Sequence, residues 1–159
     1  MPSKKIALRD ELVQQLTREL ETLERAQLAT QQAATHEEAK PENDKDTRAL
    51  EQSYLARGQA ERVVALRAAL SRVTHMVIRA FTAEQPIALG ALATLEEAEQ
   101  SQHVFLAPDG GGNALEGGSI RVVTPESPLG RALLGKVVGD ECSVRVGDRV
   151  REIVVVAVE

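Results

Sequence analysis

Aromatic residues are nearly missing: 159 positions hold no tryptophan, one tyrosine and two phenylalanines. With 43% hydrophobic residues the chain can still build a core, but an aliphatic one, and a pocket that stacks rings or bases has little to be made from. Positive charge is also short. The formal net charge is −5, with 12 basic and 12 acidic side chains in residues 1–73 and 7 against 12 in residues 74–159. Nucleic acids are held mainly through neutralised phosphates, so autonomous binding to free DNA or RNA is not expected. Cys142 is the only cysteine, which excludes an internal disulfide and fits a reducing compartment. Its place in the alternating run ECSVRV suits a small buried hydrophobe better than a reactive thiol. The first residues, MPSKKIALRDELVQQL, carry charge throughout, so neither a signal peptide nor a membrane span is expected, and the location expected is cytoplasmic.

What is present, in the first half, is helical periodicity. Leu8, Leu12, Leu16, Leu20 and Leu23 recur at spacings of three and four with polar residues between them, as one apolar stripe on a helix requires. Leu50, Tyr54, Val63, Leu66, Leu70, Val73 and Val77 supply a second stripe. In an antiparallel hairpin, facing residues have numbers with a constant sum. Leu23 with Val63, Leu20 with Leu66, Leu16 with Leu70 and Val13 with Val73 all give 86, which places the turn at residue 43. Pro41 and Asn43 sit there, one lacking an N–H and the other tolerant of left-handed backbone angles. At 1.5 Å per residue, arms of about 30 residues make a rod of roughly 45 Å. Away from the base the seam is expected to fade to alanine, at Ala26, Ala29, Ala33, Ala34 and Ala49, and Gly58 weakens the second helix by about 1 kcal/mol. A dimeric coiled coil using the same stripes is the alternative.

The bend concentrates charge. EEAKPENDKD, residues 37–46, holds five carboxylates (Glu37, Glu38, Glu42, Asp44 and Asp46) against Lys40 and Lys45. Asp46 suits an N-cap, and acids favour the positive end of the second helix, but capping accounts for one or two of them.

From about Met76 the pattern changes to short β-rich runs: PIALGALATL, HVFLA, SIRVVT, ECSVRVG and REIVVVAVE. DGGGNALEGG, residues 109–118, lacks the Gly-Lys-Ser/Thr ending of a phosphate loop and leads into no helix, so a flexible hairpin connection is expected. One short helix is predicted in TPESPLGRALLGK, with Ser127 as N-cap, Pro128 in the first position and Gly135 at the end. Turns are expected at Gly139-Asp140 and Gly147-Asp148. His36, His75 and His103 have no Cys or acidic neighbours at metal-ligand spacing, and no catalytic triad stands out.

The segments IALGALATLEEAE, VFLAPDGGG, VVTPESPLGRALLGKVVGDE and IVVVAVE, in this order, resemble the GreA/GreB family of bacterial transcription elongation factors. The resemblance is strongest over residues 76–159 and weak in residue identity over the hairpin. It implies an α+β protein in two parts: a coiled-coil hairpin over residues 1–75 with its acidic tip near 37–46, and over residues 76–159 an RNA polymerase-binding domain, a small FKBP-like antiparallel β-sheet with one short helix. It further implies that the protein is not an enzyme alone. The globular part grips the rim of bacterial RNA polymerase's secondary channel while the hairpin enters it, meeting nascent RNA only within that complex. Acidic residues at the tip help hold a second Mg²⁺ in the polymerase active site, so that backtracked or arrested complexes are rescued by transcript cleavage. Oxygen ligands suit Mg²⁺, and two metals clamp the attacking and leaving oxygens of a phosphodiester.

Carried onto this sequence, the family's tip pattern of Asp, two residues, Glu, then Asn is matched by Glu42-Asn43, but the position three before Glu42 is Ala39. The catalytic and metal-holding acids expected here are therefore Glu42, Asp44 and Asp46, with Glu38 as another candidate, and Mg²⁺ binding weak or absent in the isolated protein. The family's acidic-Ser-Pro grip corresponds to Glu126-Ser127-Pro128. DKDTRA, residues 44–49, also looks like the tip of DksA, a channel regulator that does not promote cleavage, so a non-cleaving regulator of initiation or pausing is the alternative. FKBP-like topology raises a prolyl isomerase or chaperone as a remote one.

Overall fold

The computed structural model describes residues 2–38 and 45–159. Helices α1 (Pro2–Glu38) and α2 (Lys45–Thr74) come first. Strands β1 (Leu92–Glu97), β2 (Gln100–Leu106), β3 (Ala114–Leu115) and β4 (Ile120–Val123) follow, then helix α3 (Pro128–Leu133) and strands β5 (Glu141–Val146) and β6 (Arg149–Val158). The helical hairpin followed by a sheet gives the expected α+β class. By packing, the chain forms two compact units: residues 15–70, and residues 1–14 together with 71–159. The expected apex, including Pro41, Glu42, Asn43 and Asp44, lies outside the described residues. Asp46 is described only as a backbone position at the start of α2 (Lys45–Thr74), and its expected capping falls outside the described side chains.

In the unit of residues 15–70 the half-buried and buried positions keep the predicted sum of 86 along the whole seam. Leu16, Leu20, Leu23, Gln27, Thr30 and Ala34 on α1 match Leu70, Leu66, Val63, Gln59, Ala56 and Gln52 on α2. The Arg67 guanidinium crosses between the helices to the Glu24 carboxylate at 2.6 Å. The apolar stripe on α2 departs from the expected one. Leu50 and Tyr54 are 56% and 66% exposed, and Ala26, Ala29, Ala33 and Ala49 face solvent. A 3.5-residue repeat counted back from Val73 lands on Gln59, Ala56 and Gln52, which leaves Leu50 and Tyr54 on a neighbouring face. The outer half of the seam thus mixes the expected Ala34 and a further alanine, Ala56, with Gln27, Thr30, Gln52 and Gln59, and Gln59 Oε1 is buried without accepting a hydrogen bond. Gly58 has open space where a Cβ would project. Gly58→Ala is therefore expected to stabilise α2 by about 1 kcal/mol, read as a higher urea midpoint of the helical circular dichroism signal.

In the other unit, six strands form one sheet in the order β3-β4-β2-β1-β6-β5. The sheet is mixed where an antiparallel one was expected, because β2 and β4 run parallel. Residues 107–119 between them include β3, which turns back on β4 through Glu116–Gly118, so the hairpin is β3–β4 and the glycine-rich segment is a crossover into it. PIALGALATL contributes a strand only from Leu92 onward. β1–β2 and β5–β6 are hairpins, the second turning at Gly147 with φ +63°.

Alternation gives the sheet two apolar faces. On one, Ala93, Leu95, Val104, Leu106, Ile153 and Val155 join Phe81 and Leu133 in the main core, which also holds Cys142. Burial raises the Cys142 thiol pKa, as for an inert small hydrophobe. On the other, Leu92, Phe105, Ile120 and Val122 are buried, as are Leu8 and Leu12 of α1. The beginning of α1 is tied to the loops of this unit. Glu11 accepts a hydrogen bond from the Glu116 N–H at 3.1 Å, and Leu12 lies against Gly110. Lys5 is buried, donates to the Arg79 carbonyl and sits 4.9 Å from the Phe81 ring centroid; desolvation lowers its pKa.

Candidate functional site

The Glu126-Ser127-Pro128 segment is built by three interlocked local features. Ser127 is in extended conformation and caps α3, its Oγ accepting from the Gly130 N–H at 3.0 Å while donating to the Thr124 carbonyl at 2.8 Å. Pro128 occupies the first helical position, where no N–H is needed. The Thr124 carbonyl also accepts from the Ser127 N–H at 3.1 Å, closing a tight turn over residues 124–127. Gly130 makes that turn possible: a Cβ there would stand 1.8 Å from the Thr124 carbonyl oxygen. The turn leaves Glu126 and Pro128 exposed and Ser127 half-buried, so the cap serves the helix while the acid faces outward.

A second loop supports the turn. Asp109 accepts two hydrogen bonds from one guanidinium, Arg72 Nε to Oδ2 at 2.7 Å and Nη2 to Oδ1 at 2.8 Å. Gly110 follows with φ +81°, and a Cβ on it would meet Leu12 Cδ1 at 2.8 Å; a Cβ on Gly111 would meet Thr124 Cγ2 at 3.1 Å. Asn113 Nδ2 donates to the Gly110 carbonyl at 2.8 Å and the Gly112 N–H to Val122 at 3.0 Å, which fastens the loop to β4. The segment expected to be a flexible connection is thus a pinned loop. The hydrogen bonds from Arg72 to Asp109 raise the Arg72 pKa, and the negative charge of Glu126 adds to this.

Of the residues expected from sequence, Glu126, Ser127 and Pro128 come together as one surface feature. Glu42 and Asp44 lie outside the described residues, and Asp46 is placed only as part of the first turn of α2. Among the described residues no three His, Cys, Asp or Glu side chains form a group able to hold a metal ion. His75 Nδ1 is bonded to the Ser71 carbonyl at 2.8 Å and His103 Nδ1 to Thr94 Oγ1 at 3.1 Å, so both have structural partners. Sequence reasoning missed Arg72, Asp109 and Gly130. A Ser-Pro-x-Gly run hints that the cap needs a small third residue, but nothing local links Arg72 to an acid 37 positions away.

Glu126 is an exposed carboxylate on a turn fixed by the Ser127 cap and by the close approach at Gly130. Among the described residues no helix is long and apolar enough to cross a membrane. Residues 83–159 match the family model described as transcription elongation factor, GreA/GreB, C-term. No curated protein matches the chain. Among solved structures, the chain is similar to Gfh1 of Thermus aquaticus, with 23% identity, 92% of each chain covered and a TM-score of 0.42. It is similar to GreA factor homolog 1 (Gfh1) of Thermus thermophilus, with 25% identity, 95% of this chain and 94% of that one covered, and a TM-score of 0.41. It is also similar to the elongation factor GreA/GreB from Nitrosomonas europaea, with 14% identity, 58% and 78% covered, and a TM-score of 0.39.

Proposed function

We propose, from the match of residues 83–159 to the family model described as transcription elongation factor, GreA/GreB, C-term, that this protein binds RNA polymerase at its secondary channel and stimulates the polymerase's own cleavage of backtracked RNA. The protein is an accessory factor on this reading and performs no reaction by itself. The observation that carries the grip is the exposed Glu126 on a turn locked by the Ser127 cap and by Gly130. The backbone that carries Glu126 needs no reordering to meet a basic surface, so less conformational entropy opposes binding than for a mobile loop. Glu126→Lys is expected to weaken polymerase affinity about tenfold by turning attraction into repulsion, with the circular dichroism spectrum unchanged.

Glu42, Asp44 and Asp46 are assigned to the cleavage reaction. They offer oxygen donors alone, the set that suits Mg²⁺, and such an ion would supply Lewis-acid stabilisation of the phosphodiester oxygens when bound in the complex. A second reading is favoured by Ala39, which stands where the family's tip has an aspartate: channel occupancy without cleavage, altering initiation or pausing. Adding the protein to backtracked elongation complexes tests the two. Shortened transcripts support cleavage stimulation, whereas polymerase binding with RNA of unchanged length supports the regulator. Phe81 and Phe105 are both buried, so neither lines an open aromatic pocket of the kind a prolyl isomerase uses.

A further inference from the structure

The Arg72–Asp109 pair has no part in the proposed function as stated so far, yet its position is informative. It is the first link in a continuous series of contacts: Arg72 to Asp109, Gly111 against Thr124, and the Thr124 carbonyl to Ser127 and Gly130. The series ends at the turn that carries Glu126. We propose that Arg72 is a positioning residue for the polymerase grip, pinning Asp109 so that the loop of residues 109–113 buttresses the turn of residues 124–128 and holds Glu126 outward. This inference rests on the assignment of the grip to Glu126-Ser127-Pro128 and adds a residue of α2 to it.

The geometry suits that role. Two parallel N–H···O bonds fix the orientation of a carboxylate as well as its distance, which one lysine ammonium does not do. Asp109 has a side chain only 20% exposed, whereas Arg72 is 56% exposed, so the acid is seated in the loop and the cation reaches over it. Gly110 leaves the loop no slack towards α1, because even a methyl group would strike Leu12. On its other side the loop stands close to Thr124, where a Cβ on Gly111 would meet Cγ2 at 3.1 Å.

The experiment uses the full-length chain and purified core RNA polymerase, with affinity measured by fluorescence anisotropy and amide exchange followed at residues 110–112. Arg72→Ala is expected to weaken binding about fivefold, the range of a well-formed surface ion pair, and to speed exchange at Gly110–Gly112 while the melting temperature changes little. Arg72→Lys, which keeps the charge without the fork, is expected to fall between the two. The exchanged pair, Arg72→Asp with Asp109→Arg, is expected to restore affinity to within about twofold, which a merely local loss of stability would not explain. Arg72→Ala binding like the unmodified protein, while Glu126→Lys binds weakly, overturns this inference alone. Unchanged binding of both variants overturns the grip assignment as well. Weakened Arg72→Ala without rescue by the exchanged pair means that Arg72 or Asp109 touches the polymerase directly, and the positioning role is overturned.

Discussion

Replacing Glu42, Asp44 and Asp46 together by alanine is expected to slow transcript cleavage in backtracked complexes by roughly 100-fold or more, while polymerase affinity stays within about threefold. The size follows from what a set of oxygen ligands provides. Lewis-acid stabilisation of developing charge is worth several kcal/mol, and each ~1.4 kcal/mol is about a tenfold change in rate. Affinity should be nearly unaffected because the grip is assigned to Glu126, in the other compact unit of the chain. Timed gel analysis of RNA released from a stalled complex checks the rate, and anisotropy checks binding in the same preparations. Cleavage that survives the triple replacement would remove the site assignment. Ala39→Asp provides the complementary arm. It completes the Asp-x-x-Glu-Asn pattern ahead of Glu42 and Asn43, and is expected to raise cleavage severalfold if the bend acts there. No cleavage by either protein, with binding intact, would leave the non-cleaving regulator as the function.

Gly130→Ala is expected to destabilise the sheet unit by about 3 kcal/mol and lower its melting temperature by about 12 to 24 °C, given 4–8 °C per kcal/mol for a domain near 100 residues. Helix propensity alone would favour alanine inside α3. Packing reverses the sign. The new methyl carbon would lie 1.8 Å from the Thr124 carbonyl oxygen and 3.0 Å from Ser127 Oγ, and the first of these is backbone that no rotamer change can move aside. Shifting that carbonyl would also break its bonds from the Ser127 N–H and hydroxyl. Polymerase affinity should fall with stability, since Glu126 stands on the same turn. Ser127→Ala, which removes only the cap, should cost about 1 kcal/mol. Calorimetry of the three proteins checks the order, and a Gly130→Ala variant as stable as Ser127→Ala would refute the packing argument.

Much of this arrangement could be read from residue order. The short helix was specified by Ser127, Pro128 and Gly135, because caps and turn glycines act within a few residues. The helix pairing was legible in the constant sum of the leucine positions, which is a property of two periodic patterns and not of any contact. Its outer half was misread. Leu50 and Tyr54 are apolar enough to join a stripe, but the 3.5-residue repeat set by Val73, Leu70 and Leu66 places polar Gln59 and Gln52 in the seam instead. Identity of side chain and angular position disagreed there, and position decided.

Periodicity, charge and local turn chemistry by themselves determined a helical hairpin, a strand-rich second part and the Ser127-Pro128 start of a short helix, since each depends on neighbours a few residues apart. Only the tertiary structure decided that β2 and β4 are parallel, that the start of α1 belongs with the sheet, that Gly130 admits no side chain, and that Arg72 holds Asp109. These depend on atoms brought together across long stretches of chain, where no local preference encodes the partner and packing in three dimensions selects it.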